Sequence, residues 1–66
     1  MNKLDQILQA TNRTRQDMAV QFDVTEMTIS NWANGVKRPH RLRMYIVLKW
    51  LGEPMGMVLT ESEVWE

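Results

Sequence analysis

The chain contains no cysteine and a single histidine, His40. That excludes disulfides and thiolate metal sites, and one imidazole cannot hold a metal alone. No apolar run approaches the roughly 18 residues needed to cross a bilayer, and no signal-peptide pattern opens the sequence. A soluble, intracellular protein with no membrane contact is expected. Catalytic groupings are missing too: there is no Ser/His/Asp or Cys/His set, no phosphate-cradling glycine loop and no paired carboxylates. The expectation is a protein that is not an enzyme and uses no cofactor, metal or small-molecule ligand. At 66 residues the chain makes one small domain, which buries only about 60% of its unfolded surface and is marginal unless idealised or oligomeric.

The net charge is also zero, with eight basic and eight acidic residues. A balanced total argues against a polyanionic partner, but the distribution is uneven. Residues 11–49 hold Arg13, Arg15, Lys37, Arg38, Arg41, Arg43 and Lys49 against Asp17, Asp23 and Glu26, seven against three. Residues 50–66 hold only Glu53, Glu61, Glu63 and Glu66. A basic body with an acidic tail is polarised, and a nucleic-acid face needs only local charge.

The segment from Thr14 to Gly35 carries the densest local signals. Thr14 and Asp17 have the spacing of a capping box, and Met18, Ala19 and Phe22 follow at helical spacing. That helix should stop near Phe22, with Asp23 and Val24 turning the chain and Thr25 capping a second helix. Ile29 and Trp32 mark the inner face of the second helix, which Asn34-Gly35 should end. Both helices are too short to stand alone, so they must pack on each other and on their neighbours.

This segment, read as T-x-x-D-M-A-x-x-F-x-V-T-x-x-T-I-S-x-W-x-N-G with K-R-P after it, resembles the helix-turn-helix of the lambdoid phage repressor and Cro family. The resemblance spans about residues 3–52 and rests on Ala19, Val24, Ile29, Trp32, Asn34-Gly35 and Pro39. It implies an all-α, four- to five-helix lambda-repressor-like domain over residues 1–52, with residues 53–66 a C-terminal segment for dimerisation or partner contact. Two positions depart from the family. Asp23 stands where glycine is usual, which implies strain on the order of 1 kcal/mol, and Ala33 stands where glutamate is favoured.

Around this unit, residues 2–11 read as a helix capped by Asn2 with Leu4, Ile7 and Leu8 on one face. Pro39 suits the start of the next helix. Residues 40–51 form that helix, stopped by Gly52. Met44, Val47, Leu48 and Leu51 make its core stripe, and Leu42, Ile46 and Trp50 make a second stripe that the C-terminal segment or a partner subunit must cover. Beyond it, a short helix carrying Met55, Met57, Val58 and Leu59 or a strand over 57–60 is expected. Thr60 and Glu63 form a further capping box before a last turn at Val64-Trp65.

In the family's docking mode the second helix of the motif lies in the major groove. Its outward residues are Glu26, Met27, Ser30 and Asn31, with Thr25 and Thr28 at the near edge. Asn31 suits adenine N6 and N7, Glu26 accepts from cytosine N4, and the methyl groups of Met27 and Thr28 suit thymine. With no Arg or Lys on this helix, A·T-rich or cytosine-containing half-sites are favoured. Phosphate contacts fall to Arg15 and Gln16 at a helix start, and to Asn34, Lys37, Arg38, His40, Arg41 and Arg43. The plain alternative is a solvated face. Trp32 reads as core; Trp50, Met55, Val58 and Trp65 are assigned to dimer or partner contact, with core the other reading of Trp50 and a loose tail the other reading of Trp65.

The resemblance implies a sequence-specific transcriptional regulator in the bacterial cytoplasm or nucleoid. Such a regulator, most simply a repressor, binds double-stranded DNA as a homodimer on a near-palindrome. Two other readings compete: an antitoxin-like interaction module using residues 53–66 to hold a partner, and an excision or architectural factor that bends DNA.

Overall fold

Helix termini organise this chain. A computed structural model describes residues 3–65; Asn2, expected to cap the first helix, lies outside them. Helices α1 (Leu4–Ala10), α2 (Arg15–Phe22), α3 (Glu26–Ala33), α4 (Arg41–Gly52) and α5 (Glu61–Trp65) follow in order, with one 3₁₀ turn at Glu53–Met55. The described residues contain no strand, so the strand considered over 57–60 does not form, nor does a helix carrying Met57 to Leu59.

Thr14 accepts from the Asp17 N–H while the Asp17 carboxylate accepts from the Thr14 N–H. Thr25 caps α3 by accepting from the Thr28 N–H at 3.2 Å, and Thr60 and Glu63 make the reciprocal pair before α5. The helix ends share one device. Asn12, Asp23, Gly35 and Gly56 all have φ between 54° and 76°. Each left-handed residue and its successor turn their N–H groups back: Asn12 and Arg13 to Gln9 and Leu8, Asp23 and Val24 to Val20 and Ala19. Gly35 and Val36 do the same to Trp32 and Asn31, and Gly56 and Met57 to Glu53 and Gly52. This is the Schellman pattern, which satisfies carbonyls a helix would otherwise leave open. Asn and Asp enter the left-handed region more easily than other side chains, so Asp23 can stand in the turn at a modest cost.

Two expected boundaries shift. Pro39 is buried two residues ahead of α4; His40 occupies the cap, its Nδ1 accepting from the Leu42 N–H. Helix α4 does end at Gly52, one residue later than expected, but Gly52 is its last helical residue and not a left-handed cap, with φ −90°. Its requirement is space: a Cβ there would sit 2.3 Å from the Met57 carbonyl oxygen, which the returning chain brings against it. The left-handed residue comes later, at Gly56, which closes the 3₁₀ turn that follows α4.

One core joins every helix. Leu4 and Leu8 of α1, Met18, Ala19 and Phe22 of α2, and Ile29, Trp32 and Ala33 of α3 meet Val47, Leu48 and Leu51 of α4. Ile7, Val24, Met44 and Trp50 pack at its edge. The C-terminal segment completes it with Leu59, Val64 and Trp65. Trp65, assigned above to a partner contact or a loose tail, is buried, and its indole N–H donates to the Trp32 carbonyl at 2.9 Å. The Val64 carbonyl accepts from the Lys3 N–H. Residues 59–65 are therefore a wall of the domain, not an appendage to it.

Arg13 holds the other side together. Its guanidinium stacks 3.8 Å over the Trp50 ring and donates to the carbonyls of Trp50 and Leu51 at 2.8 and 3.0 Å. A cation at the negative end of α4 satisfies carbonyls exposed there. Trp50 also meets Phe22 edge-on at 5.5 Å. Trp50 thus packs, half-buried, at the edge of the core, the core reading of the two given for it.

Candidate nucleic-acid interface

Helix α3 has two unlike sides. Ile29, Trp32 and Ala33 lock it into the core, whereas Thr25, Glu26 and Met27 are exposed and Thr28, Ser30 and Asn31 half-buried. Met27 is 74% exposed, a large apolar cost in water that a thymine methyl would relieve. The side chains of Glu26 and Asn31 make no hydrogen bond among the described residues. Thr25 and Thr28 are less available. Their hydroxyls lie 3.1 Å apart and are engaged in the α3 cap.

The Asn31 backbone has a separate task. Its carbonyl accepts from both Val36 and Lys37 N–H, which pins the start of the basic loop to the last turn of α3. Lys37, Arg38, His40, Arg41 and Arg43 are all exposed and follow within seven residues, as Asn34 and Gln16 are exposed at the ends of α3 and α2.

The arginines are not equivalent. Arg15 is a bridge: it binds both Asp5 carboxylate oxygens, at 2.9 and 2.5 Å, and reaches the Ser30 hydroxyl at 3.1 Å. It therefore links α1, α2 and α3. The hydrogen bonds from Arg15 hold the Asp5 carboxyl below the usual carboxylate range, and Asp5 in turn raises the Arg15 guanidinium. Arg43 donates to the Phe22 carbonyl at 2.9 Å, covering the end of α2. Arg38 pairs with Glu61 of α5. A phosphate would have to compete with a carboxylate at Arg15 and Arg38, whereas Lys37 and Arg41 form no ion pair among the described residues.

Arg13 was counted above only as part of the basic body. Its half-burial against Trp50 lowers its guanidinium from the ordinary arginine value and removes it from any anion-facing set. Met55 and Val58, both assigned above to partner contact, are exposed, and Val58 lines an open groove of about 320 Å³ with Lys49, Glu53, Gly56 and Met57. Among the described residues no helix is long and apolar enough to cross a membrane.

No family model, curated protein or solved structure matches this chain.

Proposed function

We propose that the chain is a sequence-specific DNA-binding regulator of the helix-turn-helix class, similar to phage repressors and Cro, that occupies a near-palindromic operator as two copies. The observation that carries this reading is the asymmetry of α3. One side is fixed by Ile29, Trp32 and Ala33, and the opposite edge presents Glu26 and Met27 fully, and Asn31 in part, to solvent. A helix held in this way, behind a tight turn and capped at Thr25, is suited to lie in the major groove.

In this reading Asn31 and Glu26 read base edges, Met27 meets a methyl group, and Thr25 and Thr28 support the helix start. Lys37 and Arg41 contact phosphate directly. Arg15 and Arg38 exchange a carboxylate for a phosphate; Gln16, Asn34, His40 and Arg43 line the same side. A single copy offers little area for strong specific binding, and two reading helices about 34 Å apart would span successive major grooves. Occupying a promoter, and so repressing it, is the simplest action. The antitoxin-like reading has less to rest on, because Leu59, Val64 and Trp65 lie in the core and are not free to hold a partner.

Enrichment of bound duplexes from a random pool tests the proposal. It should yield a symmetric site whose half-sites contain A·T pairs or cytosine on the read strand. Recovery of no preferred sequence at low salt would overturn it.

A further inference from the structure

With no cysteine in the chain, thioethers carry all of its sulfur and no thiol competes with them for an oxidant. The methionines among the described residues are unequally shielded. Met18 is sealed in the core, and Met44 is half-buried against it. Met55 ends the 3₁₀ turn and Met57 follows it; they are 49% and 44% exposed, whereas Met27 is 74% exposed. Met27 is the second residue of α3 and belongs neither to the core nor to the side chains packed at its edge. The most accessible sulfur among the described residues therefore stands on the edge to which base reading is assigned above.

We propose that Met27 is an oxidation site through which a hydroperoxide weakens operator recognition. The functional half rests on the base-reading role given to α3 above. In the step, the Met27 Sδ lone pair attacks the terminal oxygen of the hydroperoxide. The S–O bond forms as the O–O bond breaks. The proton of the transferred oxygen passes to the departing one, which leaves as water or an alcohol. The sulfur is oxidised and the peroxide reduced, two electrons passing between them. A hydroperoxide has to reach the sulfur, so Met27 reacts ahead of Met55 and Met57 and far ahead of Met18. The product is a polar, chiral sulfoxide. Against a thymine methyl group its oxygen would lose hydration and gain no donor. The sulfoxide is uncharged, so the phosphate contacts that supply binding to unrelated sequences keep their strength. Oxidation thus lowers discrimination and leaves general affinity for duplex in place. The fold is spared, because the Met27 side chain faces water while Ile29, Trp32 and Ala33 hold α3.

Dilute hydrogen peroxide applied to the full chain, with peptide mass mapping over time, tests the proposal. Met27 should gain one oxygen several times faster than Met55 or Met57, with the melting temperature unchanged. The enriched operator duplex in excess should slow oxidation of Met27 and leave Met55 and Met57 as they were. Protein oxidised at Met27 should bind operator about tenfold more weakly, the order expected when one or two apolar carbons lose their contact, and an unrelated duplex equally well. Methionine sulfoxide reductases acting on both epimers should restore the lost affinity. The Met27→Leu protein should keep, through the same treatment, whatever operator affinity it starts with. Met27 oxidising no faster than Met57, an equal loss on both duplexes, or undiminished peroxide sensitivity in Met27→Leu would each overturn the proposal. An untreated chain that selects no duplex would overturn the operator reading and the functional half with it. The order of oxidation, measured without DNA, stands or fails apart from that result.

Discussion

Replacing Trp65 by alanine tests whether the C-terminal segment belongs to the fold. The residue is buried, and its indole N–H donates to the Trp32 carbonyl. Truncating a buried tryptophan costs about 3–5 kcal/mol, and the abandoned carbonyl adds about 1 kcal/mol. A 66-residue domain has roughly 3–10 kcal/mol to lose. Trp65→Ala should therefore leave much of the population unfolded at 25 °C. Trp65→Phe keeps most of the apolar volume and loses the N–H, so its melting temperature should fall by about 4–8 °C, equivalent to about 1 kcal/mol in a domain this small. Thermal melts and urea titrations followed by far-ultraviolet dichroism would measure both. A Trp65→Ala protein that melts within 2 °C of the wild type, or loss of residues 60–66 without loss of helix, would refute the reasoning. The C-terminal segment would then be dispensable.

Asp23→Gly should stabilise the fold by about 0.5–1 kcal/mol, because residue 23 sits at φ 54°; an unchanged or lowered melting temperature would count against strain there. Acid should unfold the domain in part through Asp5 and Glu63, whose carboxyls are depressed by hydrogen bonds from Arg15 and from Thr60 respectively. Their contribution is present above the ordinary carboxylate range near about 4 and is lost as pH falls through their lower folded values. The Asp5→Asn and Glu63→Gln proteins should accordingly show a shallower loss of stability between about pH 5 and pH 3, measured by urea midpoints; unchanged slopes would contradict this. On DNA, Asn31→Ala should cost about 1–3 kcal/mol at one base position only, with an equal loss on every sequence contradicting base reading. Arg38→Ala should weaken all duplexes alike and flatten the salt dependence by about 0.9 in slope, whereas Glu61→Gln, which releases Arg38 from one anion, should strengthen all of them. A sequence-selective effect of either would move Arg38 to base reading.

Local signals carried most of the helical layout. The Thr14–Asp17 and Thr60–Glu63 boxes, the Thr25 cap and the left-handed turn at Asp23 act over three or four residues, and neighbouring side chains are enough to recognise them. The apolar faces of α1, α3 and α4 were equally visible because helical spacing repeats within each element. What escaped depends on distant chain. Arg13 read as a surface cation because its partners, the Trp50 ring and the last carbonyls of α4, lie 37 and 38 residues away. Gly52 read as a stop because nothing near it signals that the Met57 carbonyl returns to within 2.3 Å of where a Cβ would be. Trp65 read as a surface anchor or a loose tail because the carbonyl that receives its indole N–H, that of Trp32, lies 33 residues away. For the candidate interface, the outward edge of α3 follows directly from the position of Ile29 and Trp32. The Asp5–Arg15–Ser30 bridge and the Arg38–Glu61 pair do not, since each spans elements that only the packed core brings together.

Backbone amide shifts during titration with the enriched duplex at low ionic strength test the central claim most directly. The account predicts changes concentrated at residues 25–34 and 37–43, with the amides of residues 44–46 and of the 57–58 loop silent. Amides of α3 that do not move while duplex is present in excess, or changes confined to the α4 apolar face, would contradict it.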